Sequence, residues 1–146
     1  MDVNLLKEMV DYGIIGLLGF MSFLTVWFWI ERLLYFRSID LKTFTCKQEL
    51  EIALTNHTSI LSTFGSNAPY IGLLGTVVAI IITFYTLGID GDIDVKQIMT
   101  SLALALKATA MGLLVAIPAI FFYNHLVRKI EVMLTRWEIE HANKKV

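Results

Sequence analysis

Three apolar runs constrain this chain more than anything else in it. Gly13 to Ile30 carries no charge and ends at Glu31-Arg32. Pro69 to Ile89 is likewise uncharged, and Leu102 to Val127 is interrupted only by Lys107. About 20 such residues in a helix cross about 30 Å of hydrocarbon. With 56% hydrophobic and 17% charged residues, and a mean hydropathy of +0.67, 146 residues hold more apolar surface than a soluble domain of that size can hide. The expected fold class is therefore an all-α integral membrane protein with three transmembrane helices.

Charge gives an orientation. Four lysines and arginines follow the first run (Arg32, Arg37, Lys42, Lys47) and five lie in the tail (Arg128, Lys129, Arg136, Lys144, Lys145). The N-terminus carries Lys7 alone and the second loop Lys96 alone. The excess predicts an outer N-terminus, an inner C-terminus, and cytoplasmic helical segments at 31–68 and 128–146. Asp2, Glu8 and Asp11 are wrong for a basic signal-peptide lead, and no small-residue cleavage site follows, so the first run is read as a retained signal anchor. A net charge of −1 gives no basic excess for nucleic acid. Cys46, the only cysteine, allows neither an internal disulfide nor a multi-thiolate metal site.

Along the chain, residues 1–12 are read as a short amphipathic lead at the outer surface. Trp27, Trp29 and Tyr35 are placed as an inner aromatic belt would be. Leu34, Leu41, Phe44, Leu50 and Leu54 predict that the first helix enters the cytoplasm, bends and returns as a second helix. Thr58 to Ala68, rich in Ser, Thr, Gly and Asn, reads as a turn, with Pro69 at the first helical position of the second span. The loop from Gly88 to Lys96 holds Asp90, Asp92 and Asp94 like the start of a calcium loop. Val95 stands where such a loop needs Gly, and Ser101 where it needs Glu, so a solvated acidic turn is the expectation. The third span continues through Ile130, Met133, Leu134, Trp137 and Ile139 as one helix of about 40 residues, roughly 60 Å long. Its cytoplasmic apolar stripe calls for a covering partner, most simply another copy.

Candidate functional residues lie in the second and third spans. Ala105, Thr109, Gly112 and Ala116 fall on one helical face, and Gly72 and Gly75, continuing to Ala79, form another; small residues at such spacing let backbones approach in lipid. Packing alone is the plainer reading for the glycines and alanines. Thr76 and Thr109 are uncharged hydroxyls on these faces. Counted from the ends of the apolar runs they stand at depths offset by roughly 10 Å, which would suit a hydroxyl-lined path for protons or water; hydrogen bonding to their own helix is the alternative. Lys107, the only charge inside a span, is either functional or snorkels outward to Asp90, Asp92 or Asp94. Pro118 is expected to kink the third helix. No Asp or Glu lies in any of the three runs, so a proton-driven machine built on them needs a carboxylate from another polypeptide. His57, His125 and His141 have no ligand spacing, and no nucleophile elbow, zinc-helix motif or phosphate loop occurs. The reading is not an enzyme, with no metal and no cofactor.

The segments Ala68-Pro-Tyr-Ile-Gly-Leu-Leu-Gly-Thr76 and Ala108-Thr-Ala-Met-Gly-Leu-Leu-Val-Ala-Ile-Pro-Ala119, followed by Tyr123-Asn124, resemble the ExbB/TolQ/MotA proton-channel family, most of all its ExbB members. The resemblance implies a multi-pass protein of the bacterial inner membrane, assembled as a homopentamer around a dimer of ExbD, a single-span protein with an essential membrane Asp. Proton flow past that Asp would move ExbD, and TonB would pass the work to outer-membrane receptors importing iron chelates, vitamin B12 or other metals. Thr76 and Thr109 match the family's pore-lining threonines. Many members carry a Glu where Leu104 stands here, which makes a channel role for that Glu doubtful in this chain, and Lys107 occupies a position usually apolar. Set against members with a long N-terminal extension, the chain is expected to be a compact version of the family. A TolQ-like role in envelope maintenance and a non-conducting membrane scaffold are the rival expectations; a MotA-like stator would be expected to have four spans and a larger cytoplasmic domain.

Overall fold

The computed structural model describes residues 3–90 and 94–143. Its elements are α1 (Val3–Ser38), a 3-10 turn (Leu41–Thr43), α2 (Lys47–Thr55), α3 (Thr58–Asp90) and α4 (Val95–Asn143). α1, α3 and α4 are each long and apolar enough to cross a membrane. α3 and α4 form an antiparallel hairpin, α1 packs against both, and α2 rests on α4.

The helices outrun the apolar segments that predict them. The polar lead is no separate element: from Val3 onward it forms the first turns of α1. The bend after α1 and the return helix α2 lie where the leucine spacing puts them. Asp40 caps the 3-10 turn by accepting from Lys42 N.

The turn expected at 58–68 is not there. α3 begins at Thr58 and carries Pro69 within it. The polar residues that suggest a turn spend their hydrogen bonds on carbonyls one helical turn back: Thr63 on Ser59 O and Asn67 on Thr63 O, both at 2.8 Å. They therefore fit a helix whose other face, Leu61, Gly65 and Ala68, is buried. The chain reverses instead at Asn56-His57, where His57 takes the left-handed φ of 63°.

α4 is 49 residues long, longer than expected and continuous through Pro118. It starts on an Asp94 cap, whose carboxylate accepts from Lys96 N at 2.9 Å. The acidic turn expected at 88–96 falls partly on residues 91–93, outside the described residues.

Two apolar clusters stack along the molecule. The upper one joins Leu18 and Met21 of α1, Ala68 of α3, and Val115 and Ala116 of α4. The lower one joins Phe36, Leu50, Leu54, Leu61, Leu126, Ile130 and Trp137. This lower cluster corrects the expectation of a bare stripe on the end of α4. Met133 and Leu134 pack against it, and Trp137 donates from Nε1 to Phe44 O at 3.3 Å. From Ile130 to Trp137 the stripe is covered within the chain, because α2 folds back onto it, while Ile139 stays exposed.

The aromatic belt is also only partly as expected. Trp27 is exposed, but Trp29 turns inward and stacks on Phe122, centroids 4.3 Å apart. Tyr35 lies under the Arg32 guanidinium at 4.6 Å. The i, i+2 spacing of Trp27 and Trp29 forces them to different sides of one helix.

Candidate functional site

The hairpin places its small residues at the helix crossing. A methyl added to Gly72 would lie 2.6 Å from Ala108 O, and one added to Gly112 would lie 2.6 Å from Ala68 O. Backbone thus meets backbone at this level, and only hydrogen fits in the gap. Gly75 is caught between α1 and α4, with Ile14 and Ala108 side-chain carbons within 3 Å of where its methyl would stand. Ala105, Ala116 and Ala79 are buried too. Pro118 is exposed.

Into this close approach the hairpin sets Thr76 and Thr109. Their hydroxyl oxygens are 2.6 Å apart. Thr76 also donates to Ala105 O at 3.0 Å, and Thr109 has Gly72 O at 3.5 Å. The two therefore stand at one depth, which corrects the expected offset of roughly 10 Å. The offset follows from starting the third span at Leu102, whereas α4 starts seven residues earlier, at Val95.

The pair has two self-consistent proton orders. In one, Thr109 donates to Thr76 and Thr76 to the Ala105 carbonyl, leaving a lone pair of Thr109 free. In the other, Thr76 donates to Thr109, which then has its own O–H for Gly72 O or for an outside acceptor. Thr76 is only 6% exposed and Thr109 is half-buried, so Thr109 is the member another group can reach.

Other threonines of these helices behave differently. Thr25, Thr83 and Thr86 each bond back to the carbonyl four residues earlier, at 2.7 to 2.8 Å. That is the ordinary way a hydroxyl is accommodated in lipid. Only Thr76 and Thr109, among the described residues, bond across from one spanning helix to another.

Lys107 is exposed and lines a small cleft between α1 and α4 with Glu8, Asp11, Tyr12 and Leu104. The carboxylates beside it belong to α1. Asp94, one of the partners expected for it, is engaged in capping α4; Asp92 and the side chain of Asp90 lie outside the described residues. Glu8 and Asp11 are a finding that the sequence reading lacks. Their i, i+3 spacing carries the signal once the lead is taken as helix.

A second polar group also goes unnoticed in the sequence. Arg32 is 4% exposed and grips Glu31 through Nε and Nη2 at 2.9 and 2.6 Å. His57 Nδ1 stands 3.6 Å from the same carboxylate. This network ties the end of α1 to the reversal before α3. Among the described residues no set of three or more His, Cys, Asp or Glu is placed to hold a metal.

Three long apolar helices, two of them joined by a hydroxyl pair across a glycine-tight crossing, define a multi-pass membrane protein with a polar contact inside its spans. Residues 40–139 match the model of the MotA/TolQ/ExbB proton channel family. A Helicobacter pylori protein designated ExbB-like 2 is 57% identical over 136 residues, 93% of this chain and 91% of its own length. The biopolymer transport protein ExbB of Aquifex aeolicus is 52% identical over 94% of this chain and 93% of its own. The Tol-Pal system protein TolQ of Pseudomonas aeruginosa is 36% identical over 62% of this chain and 38% of its own. The chain belongs to the MotA/TolQ/ExbB proton channel family.

Proposed function

We propose that this chain is the proton-channel subunit of an inner-membrane motor, with its N-terminus outside and its C-terminus in the cytoplasm. It is a transport subunit rather than an enzyme. All 146 residues act as one ExbB-like domain, five copies surrounding an ExbD-like single-span partner that brings a membrane Asp. A TonB-like protein carries the work to outer-membrane import of iron chelates, vitamin B12 or other metals.

The observation that carries this reading is the cross-helix pair Thr76–Thr109. A hydroxyl pair cannot titrate in the working range, but it can answer a group that does. A protonated partner Asp would donate to the free lone pair of Thr109; the ionised Asp would be met by the Thr109 O–H after both hydroxyls reverse. The other candidate, Lys107, stands beside Glu8 and Asp11, which suits an ion-paired surface lysine better than a group on the proton path. The similarity to ExbB proteins along nearly the whole chain favours the TonB pathway. The partial similarity to a TolQ protein is the observation behind the second reading, envelope maintenance.

The test is energy-dependent uptake of a ferric chelate in cells lacking the native copy, with wild type or Thr109→Val at equal membrane levels. Rescue by wild type alone is the expected result. Rescue by both would reduce Thr109 to packing. Failure of a well-expressed wild type, with its cognate partner present, would move the assignment to the Tol system.

A further inference from the structure

Where α1 and α4 leave the apolar runs, they enclose a groove of about 410 Å³, within the range of small-ligand sites. Arg37, Arg128, Lys129 and Arg136 line it together with His125, and no carboxylate does. Phe36, Ile39, Val132 and Met133 form its apolar part.

We propose that this groove binds the headgroup of an anionic phospholipid. The position fits a lipid. His125 lies beside Trp29, ring centroids 6.4 Å apart, and Arg128 is the first residue after the apolar run that ends at Val127. The upper end of the groove therefore lies at the edge of the hydrocarbon, where phosphates are. Basic pockets between spanning helices at that level favour anionic headgroups.

The charges are also available. Arg37, Lys129 and Arg136 make no ion pair among the described residues. Arg128 has Glu131 at 3.3 Å, but the two side chains are 77% and 59% exposed, and so exposed a pair is held weakly. Guanidinium groups meet phosphate oxygens two at a time, and the apolar wall suits the glycerol and the first methylenes of a lipid. Cations placed only to set the orientation of the chain would have no reason to converge on one carboxylate-free groove. The proposal rests on the spans alone and stands or falls independently of proton conduction.

Native mass spectrometry of the full-length protein, titrated with phosphatidylglycerol, cardiolipin or phosphatidylcholine, tests it. Wild type should retain the two anionic lipids in preference to phosphatidylcholine. The triple variant Arg37→Gln/Lys129→Gln/Arg136→Gln should bind them at least about tenfold more weakly, given the attraction each cation contributes. Lys42→Gln, outside the groove, should match wild type. Arg136→Gln alone, on an exposed turn well beyond the apolar run, guards against misfolding of the triple variant and should still show a several-fold loss. Equal binding by all variants, or equal retention of phosphatidylcholine, would overturn the proposal. So would an assembled protein that takes no lipid there because a second copy covers the groove.

Discussion

Thr76 and Thr109 meet oxygen to oxygen at 2.6 Å, each fourteen residues from the loop end of its own helix, at Asp90 and Val95. Equal distance from one short loop places two residues of an antiparallel hairpin at the same height. Because the contact is shared, the two hydroxyls should behave as one unit. Thr76→Val and Thr109→Val should each lower stability by about 1 kcal/mol or less. The double variant should cost little more than either single one. Thermal unfolding of the four proteins in one detergent measures the coupling; strictly additive losses would contradict a shared bond.

Gly72→Ala and Gly112→Ala should each cost about 1–3 kcal/mol by overpacking, since the new methyl meets backbone oxygen at 2.6 Å. Gly19→Ala offers the contrast. Nothing lies within 4 Å of its added methyl, so the chain should be unchanged or stabilised by up to about 1 kcal/mol through helix propensity. The same unfolding assay ranks the three.

Lys107→Leu should leave ferric-chelate uptake largely intact, because the ammonium stands in an open cleft with Glu8, Asp11 and Tyr12 and away from the threonine pair. Complete loss of uptake at normal expression would place Lys107 on the conduction path.

Trp137→Ala should be the most damaging single change in the part beyond the apolar runs, at about 3–5 kcal/mol. It removes a side chain that is 8% exposed, its bond to Phe44 O and its stacking on His141 at 3.8 Å. Limited proteolysis should then cut between α1 and α2 before the membrane helices are affected.

Lys47 and Glu138 link α2 to α4 at 2.6 Å, and the carboxylate holds the lysine above its ordinary range, chiefly by hydrogen bonding and then by charge. A raised folded pKa contributes stability that is fully present below the unfolded pKa of about 10.4 and is lost as pH rises through the folded value. Unfolding should thus show no effect of this pair between pH 7 and 9 and a small loss above 10. Both groups are open to water, so Lys47→Met should change Tm at neutral pH by no more than experimental scatter.

The three spanning helices and the bend after the first are legible in the sequence, because long uncharged runs and leucine spacing are local signals. The start of α3 is not. Thr63 and Asn67 read as turn formers, and only their bonds to carbonyls one turn back show that the same residues suit a helix. The start of α4 at Val95, seven residues before the apolar run, is missed as well, and that displaces the expected height of Thr109. The cover on the end of α4 is hidden for another reason: it depends on α2 folding back, so that Phe44 reaches Trp137 across 93 residues. The small faces are visible as a pattern, but the pattern does not say whether it packs within the chain or between copies. In the structure it closes within the chain, at Gly72 and Gly112.

α1, α3 and α4 pass unbroken from one apolar cluster to the other, with no linker between the buried part and the part beyond it. Three rods clamped together at two separate heights resist bending and shear far better than any one of them. A push on the bundle inside the bilayer reaches the far end as a shift of the whole frame, not as slack taken up at a joint. The fold is mechanically a rigid mount.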